Sequence, residues 1–392
     1  MKGKLLIVGG GYADIPLIKE AKKMGYYVIT TGNRPNDFGH KYSDEYCNED
    51  FSNNEAIYKL ARRKNIDFIC PGCNDFAALS AAYTAEKLGI PGYDSFDTMT
   101  IIHHKDRFRK FCCMNDIAVP RAKAFDSVEK ALEEIYNFKY PVIIKPVDLT
   151  GGKGISVAKD GDEAENSIKS AFNISKAKRI VVEEFIEGSR HGFSGFLVDG
   201  KIKFYFSDDE YYYFNQYMVS GTSAPGNVSK SIEEELCRAS EKIASLLSLK
   251  DGIFHIQYIV KEEKPYIIEI CRRPPGDLYI KFVEDATGIN YPMYILKGFI
   301  GESCEDIPRA KPKGYYARHC IMASKNGKVE NVIYDQAIKD NIIDEILWWT
   351  RGDLVNNYII DKFGIVFLKF NSLKEMKEKS EKLQSLIKVI VK

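Results

Sequence analysis

Lys145-Pro146-Val147-Asp148-Leu149-Thr150-Gly151-Gly152-Lys153-Gly154 follows directly on the apolar run Val142–Ile144. The run reads as a strand, and the stretch after it as a loop rich in glycine between two lysines. A backbone without Cβ closes over a ligand and presents its N–H groups, and the lysines add positive charge. Such a loop suits a polyphosphate held under a mobile flap. It is not the phosphate loop G-x-x-x-x-G-K-[ST], because the spacing differs and no Ser or Thr follows Lys153. Alone it reads equally well as a plain hairpin, so its meaning depends on what surrounds it.

The chain has 392 residues, enough for two or three packed units with ample core. With 56 Lys+Arg against 55 Asp+Glu, the net charge is +1, which gives no reason to expect nucleic acid or an anionic membrane as partner. No apolar run approaches the roughly 18 residues of a membrane span. The start, Met1-Lys2-Gly3-Lys4-Leu5-Leu6-Ile7-Val8, reads as a first strand rather than a secretory signal. Nine scattered cysteines suit reduced thiols and a cytoplasmic location better than a disulfide framework. Cys70-Pro71-Gly72-Cys73 ends a strand and opens a turn; no second C-x-x-C completes a zinc site, and a thioredoxin-like role is not favoured.

Upstream, strands at Leu5–Val8, Tyr26–Thr30 and Asp67–Cys70 alternate with helices at Pro16–Lys23, Asn54–Lys64 and Phe76–Leu88. That alternation predicts a parallel, doubly wound sheet. Gly9-Gly10-Gly11-Tyr12 sits at the first strand-to-helix turn. The sixth position of a dinucleotide fingerprint is Asp14, and Thr30-Thr31-Gly32-Asn33 carries no acid, which argues against nicotinamide. The turn is still expected to offer N–H groups to a substrate carboxylate or phosphate. Further on, the pattern predicts one helix over Thr98–Asn115, a strand over Ile180–Ile186, a helix over Glu233–Leu247, and hairpins across Asp199-Gly200-Lys201 and Lys261-Glu262-Glu263-Lys264. The last ninety or so residues are expected to mix strands (Tyr315–Met322, Ile365–Phe370) with a helix over Leu373–Leu386.

Chemistry-bearing residues fall at the ends of these strands. Ile180-Val181-Val182-Glu183-Glu184-Phe185-Ile186 ends beside acids that suit either an adenine edge or bulk water. The hairpin partners Phe254-His255-Ile256-Gln257-Tyr258 and Tyr266-Ile267-Ile268-Glu269-Ile270-Cys271 bring Gln257 near Glu269, a start on the oxygen ligands that magnesium needs. A buried carboxylate at Glu269 demands pairing or a metal.

Taken in order, these motifs resemble the ATP-grasp superfamily over nearly the whole chain. They run from Lys105 in His103-His104-Lys105-Asp106-Arg107-Phe108-Arg109, through the Lys145–Gly154 flap and the hinge Glu183–Ile186, to Gln257. The pattern E-x-N-x-R-x-x-G has its counterpart in Glu269-x-Cys271-x-Arg273-x-x-Gly276, followed by Thr287-Gly288-Ile289-Asn290 and by Lys325–Glu330. The resemblance implies an α/β and α+β multidomain fold. Residues 1–98 would form a Rossmann-like pre-ATP-grasp domain, residues 99–300 a two-lobed ATP-grasp core with its lid lobe at about 120–186, and residues 301–392 a small α+β C-terminal domain. It implies ATP and Mg2+ (or Mn2+) as cofactors, small-molecule carboxylate and amine partners, no nucleic acid and no membrane. A homodimer is compatible with it.

By position, Lys105 and Lys145 would contact the α- and β-phosphates, and Gly151, Gly152, Lys153 and Gly154 would cover the β- and γ-phosphates. Glu183, Glu184, Phe185 and Ile186 would frame adenine, and His191 the ribose. Gln257 and Glu269 would hold the metal, with Cys271 at a third metal position where relatives carry Asn. Arg273 would stabilise the transferred phosphoryl group, and Arg272 and Arg273 would clamp a substrate carboxylate. Asp208–Tyr217 is a candidate lining for the acceptor pocket. The activity implied is ATP-dependent carboxylate–amine ligation through an acyl phosphate. The alternatives are a bicarbonate-using carboxylase, and a nucleotide-binding protein that has lost catalysis.

Overall fold

The computed structural model describes residues 2–149 and 151–392; Thr150, inside the glycine-rich stretch, lies outside the described residues, as does Met1. The first sheet is parallel and has the order β3-β2-β1-β4, from β1 (Lys4–Val8), β2 (Tyr27–Gly32), β3 (Glu45–Asn48) and β4 (Phe68–Pro71). Helices α1 (Ile15–Lys23) and α2 (Asn54–Lys64) connect its strands, α3 (Asp75–Leu88) follows the last of them, and all three flank it. Their ends are set locally. Asn53 accepts from the Ala56 N–H, Asn74 from the Phe76 N–H, and Gly89 closes α3 at φ +67°.

The helix expected over 98–115 is two helices, α4 (Phe96–His103) and α5 (Lys105–Met114). His104 between them is extended, at φ −99° and ψ 116°. The break starts a new helix at Lys105 and sets the direction of α5, which carries Arg109.

A second, antiparallel sheet has the order β5-β8-β6-β7, from β5 (Ala122–Phe125), β6 (Val142–Pro146), β7 (Ser156–Ala158) and β8 (Ile180–Glu184). It packs on α6 (Val128–Glu134) and α7 (Gly161–Ile174) through Ile144, Ile168 and Val182.

The central sheet starts from β9 (Ser189–Val198), β10 (Lys201–Tyr211), β11 (Gly221–Ala224), β12 (Gly252–Lys261) and β13 (Lys264–Cys271). Both hairpin turns use left-handed pairs: Asp199 and Gly200 at φ +50° and +69°, Glu262 and Glu263 at +50° and +57°. Helix α8 (Lys230–Leu247) covers Phe193, Leu197 and Phe254 on one face. Helices α9 (Tyr279–Thr287) and α10 (Tyr291–Ile300) cover Phe196, Phe204 and Phe206 on the other. Each such fully buried aromatic contributes about 1.5–3 kcal/mol.

Beyond residue 300 come β14 (Tyr315–Ile321), β15 (Gly327–Tyr334), β16 (Ile342–Leu347), β17 (Leu354–Val355), β18 (Gly364–Phe370) and β19 (Ile387–Val391). β14, β18 and β16 prolong the central sheet, whose order is β13-β12-β9-β10-β11-β14-β18-β16, while β17, β15 and β19 form a small separate sheet. Continuous β-structure therefore crosses the boundary expected at residue 300. The helix expected over Leu373–Leu386 breaks after Ser380, and Ile387–Val391 is strand. Among the described residues, no helix is long and apolar enough to cross a membrane.

Candidate functional site

The second and central sheets and the carboxyl end of the first sheet enclose a cleft of about 370 Å³. Its wall carries Lys145, the last lysine of β6, which is buried and donates to Glu183 Oε2 at 2.6 Å. Glu183 is fully buried, and its Oε1 lies 2.9 Å from Arg109 Nε. Burial works to raise the Glu183 carboxyl, but the Arg109 and Lys145 charges outweigh it and hold the group below its ordinary range. The Glu183 carboxylate is thus committed to two cations and is not free for an adenine amino group, although the residue lines the cleft. The hinge still lines the cleft with Glu184, Phe185 and Ile186, and among the described residues the Ile186 N–H has no backbone acceptor. A backbone donor there suits the edge of a purine ring.

The glycine-rich stretch folds as a turn over the cleft. Gly151, Gly152 and Gly154 have φ of +66°, +73° and +70°, which β-bearing residues rarely adopt. A Cβ at Gly152 would sit 2.8 Å from Tyr217 Cβ, so only glycine seats the flap there. Lys105 Nζ donates to the Leu149 carbonyl at 3.0 Å, tying the foot of the flap to α5. Lys105, Gly151 and Gly152 line the cleft. Lys153 is exposed and Gly154 packs against Ile174 and Pro146; neither lines the cleft. His191 does not line it either. Its Nδ1 meets Asp209 at 2.8 Å, its Nε2 meets Ser189 at 2.7 Å, and its ring stacks on Tyr258. The neighbouring Arg190 reaches the cleft instead.

At the other end Gln257 and Glu269 face each other across β12 and β13, as expected. The ladder then skips one residue, from Gln257–Glu269 to Tyr258–Ile267. Ile268 is left over as a bulge, and its free carbonyl accepts from Arg109 Nη2 at 2.6 Å. One arginine therefore ties Lys145's partner to the strand of Glu269. Gln257 Nε2 donates to Glu210 at 2.9 Å, and among the described residues its amide oxygen is uncommitted. Glu210, which also accepts from Tyr212 OH, lines the cleft with Tyr212, Gln216 and Tyr217, so the 208–217 segment supplies part of the wall.

The ligand atoms of Asp75, Glu269 and Cys271 lie within 4.8 Å of one another. Asp75 accepts from Arg273 Nε at 2.8 Å and meets His103 Nδ1 at 3.1 Å. Burial alone would raise its carboxyl; Arg273 and His103 hold it far below the ordinary range. Burial pushes the Cys271 thiol well up, so it stands as S–H. The Glu269 carboxylate and Gln257 amide oxygen fit a hard cation such as Mg2+, completed by phosphate oxygens; the protonated, soft Cys271 does not. Sequence reasoning missed Asp75. The available signal was its place just beyond the carboxyl end of β4, where parallel sheets bind ligands. It missed Arg109 as well, which shows only as one more charge on a basic helix.

Two further expectations fail. Arg272 is buried among Asp94 Oδ2 (2.7 Å) and the Ile253 and Lys250 carbonyls (2.5 and 2.6 Å), so it clamps the protein and not a substrate. The Gly9–Gly11 turn already holds an anion: Asp14 accepts from the Gly10, Gly11 and Cys73 N–H groups at 2.8–2.9 Å. A substrate acid would have to displace it. All nine cysteines are free, Cys70 and Cys73 among them.

The floor beyond Arg273 is polar and mostly committed. Arg318 of β14 donates to the Asp277 carbonyl at 2.6 Å and to Thr222 at 3.3 Å. Asp277 in turn accepts from Tyr12 OH at 2.6 Å and Lys362 at 2.5 Å. His255 is buried against the Tyr279 ring with its Nδ1 unpartnered; burial, then Arg273 and Arg318, push it down to about 3, so it is neutral.

Residues 104–212 match the family model for the phosphoribosylglycinamide synthetase ATP-grasp (A) domain. The carbamoyl phosphate synthase large chain of Clostridium botulinum (strain Langeland) is 23% identical over 330 residues, 78% of this chain and 30% of that one. Its counterpart in Thermotoga petrophila is 24% identical over 322 residues, 78% and 29%. The chain thus spans about a third of the length of these curated relatives. Among solved structures, L-amino acid ligase from Bacillus licheniformis superposes with a TM-score of 0.83 at 19% identity, covering 100% of both chains. Phosphoribosylglycinamide synthetase from Anaerococcus prevotii gives 0.77 at 23%, covering 99% of both. The biotin carboxylase domain dimer of Hydrogenobacter thermophilus 2-oxoglutarate carboxylase gives 0.78 at 17%, covering 100% of this chain and 92% of that one.

Proposed function

We propose that this chain, which has the ATP-grasp fold, is a ligase that activates a carboxylate with ATP and joins it to an amine, releasing ADP and phosphate. The observation that carries it is the convergence of Lys145, the glycine flap, the Gln257–Glu269 pair and Arg273 on one cleft. Adenine would lie along Glu184–Ile186, with Lys105, Lys145 and the flap amides around the phosphates. Gln257 and Glu269 would hold Mg2+, which when bound masks phosphate charge. The substrate carboxylate attacks the γ-phosphorus and ADP leaves. The amine then attacks the acyl carbon, phosphate departs, and the amine gives up a proton. Arg273, at the far end of the cleft, neutralises charge that develops on the transferred group; positioning and charge masking supply most of the acceleration. The free thiols support a reducing, cytoplasmic setting, and the likeness to a carboxylase domain solved as a dimer supports a homodimer.

The test is ADP release against pools of amino acids, other amines and dicarboxylates. Release should require an acceptor, and Lys145→Ala or Glu269→Ala should abolish it in folded protein. Undiminished turnover in both variants would sink the proposal. Turnover that needs bicarbonate instead of an amine would favour a carboxylase.

A further inference from the structure

We propose that Asp75, Glu269 and Cys271 form a site for a thiophilic divalent cation such as Zn2+ or Cd2+, overlapping the oxygen site for Mg2+ at Glu269, and that an ion held there shuts the enzyme off. The binding claim stands on the residues alone; the inhibition rests on the ligase function proposed above.

Two carboxylates and a sulfur with ligand atoms within 4.8 Å of one another are spaced as ligands of one ion. They come from two parts of the fold. Asp75 opens α3 beside the first sheet, while Glu269 and Cys271 stand two residues apart on β13 and so share a face. Cys271 Sγ is buried, and its one hydrogen-bond contact among the described residues, to Asp75 Oδ1, is long at 4.0 Å. An independent observation lies one strand over. His255 pairs directly with Cys271 across β12 and β13, is 6% exposed, lines the same cleft, and leaves Nδ1 without a partner. His255 thus stands opposite Cys271 with an uncommitted ring nitrogen, and Cys, His and carboxylate together are the donor chemistry of Zn2+ and the wrong chemistry for Mg2+.

Binding breaks the Cys271 S–H bond, forms an Sγ–metal bond and releases one proton to solvent; nothing is oxidised or reduced. The ion competes with Arg273, which already donates to Asp75 Oδ1. It also takes a Glu269 oxygen that the nucleotide's magnesium would need. Both effects remove parts of the machinery for phosphoryl transfer.

The experiment is calorimetric titration of the full, nucleotide-free chain with Zn2+ alone, repeated in buffers of different ionisation enthalpy. One tight site per chain with one proton released is expected. Cys271→Ser and Asp75→Asn should each weaken that site ~10–100-fold, while Cys73→Ser, a cleft thiol outside the cluster, should leave it unchanged. Arg273→Met should tighten it. Thermal melts establish that each variant is folded, and Glu269→Gln serves where Asp75→Asn is not. Equal affinity in wild type and folded Cys271→Ser, or loss in Cys73→Ser, overturns the site. In turnover assays Zn2+ should inhibit wild type more strongly than Cys271→Ser, which would refute only the inhibition if it failed. Absence of turnover with every acceptor overturns the ligase function and leaves the binding result standing.

Discussion

The Arg109–Glu183–Lys145 cluster sets up a charge cycle with a definite sign. Its three side chains carry two positive charges and one negative, a net +1 facing the phosphate end of the cleft. Arg109→Met leaves Lys145 and Glu183 to cancel each other. A unit charge about 7 Å from a phosphate at an effective dielectric near 20 is worth ~2 kcal/mol, roughly thirtyfold in affinity. ATP should therefore bind about thirtyfold more weakly. Glu183→Gln removes the negative charge and should tighten ATP by a similar factor. The double variant restores net +1 and should fall near wild type. Stability moves differently: Glu183→Gln strands two buried cations and costs about 3–5 kcal/mol, whereas Arg109→Met leaves a neutral pair and costs less, both read as a lower melting temperature. Calorimetric ATP titrations of the four proteins close the cycle. If Glu183→Gln weakened ATP as Arg109→Met does, the carboxylate would be touching the nucleotide itself and the structural assignment would be refuted.

Other outcomes follow from the same geometry. Gly152→Ala must place a side chain at φ +73° and against Tyr217, which costs about 1–2 kcal/mol and should appear as a raised KM for ATP with little change in melting temperature. Arg272→Met should destabilise the fold by about 3–5 kcal/mol while leaving the KM values of folded protein near wild type; a specific rise in an acceptor's KM would return Arg272 to the cleft. His255 and His319 are buried neutral, both pushed down to about 3 by burial first and by nearby arginine. Unfolded histidine takes up its proton near pH 6.5, so stability is full above that value. Each imidazole then loses about 1.4 kcal/mol per pH unit as pH falls from about 6.5 towards 3. His319→Gln should lessen the slope of melting temperature against pH in that window, and an unchanged slope would count against the assignment.

The flap and the hinge were legible because each sits where a strand ends and a turn begins, a boundary that composition marks clearly. Lys145 before Pro146 and the Gln257–Glu269 pairing came from local pattern and hairpin register. Asp75 and Arg109 were not legible, since each takes its meaning from partners far along the chain: Arg273 for Asp75, Glu183 and Ile268 for Arg109. Glu183 and His191 were placed by position in a motif, but position does not reveal which neighbours will take up a side chain's hydrogen bonds. The split at His104 depends on one extended residue inside otherwise helical composition. The strand at Ile387–Val391 was not read from the sequence: buried and exposed residues alternate along it, but the exposed Ile390 breaks the apolar–polar alternation that would have marked it.

β14 lies between β11 and β18, so the central sheet is joined by a strand that leaves the ribosome roughly a hundred residues after β11. At ordinary synthesis rates that is about 5–20 s during which β11 is an open edge. An open edge pairs with any strand offered, including one from a neighbouring nascent copy. Gly221–Ala224 is only four residues long, which limits that hazard. Arg318 is delivered on the same late strand, so the edge is capped and the floor of the cleft is charged in a single event, and a chain that stalls before it is both sticky and inert.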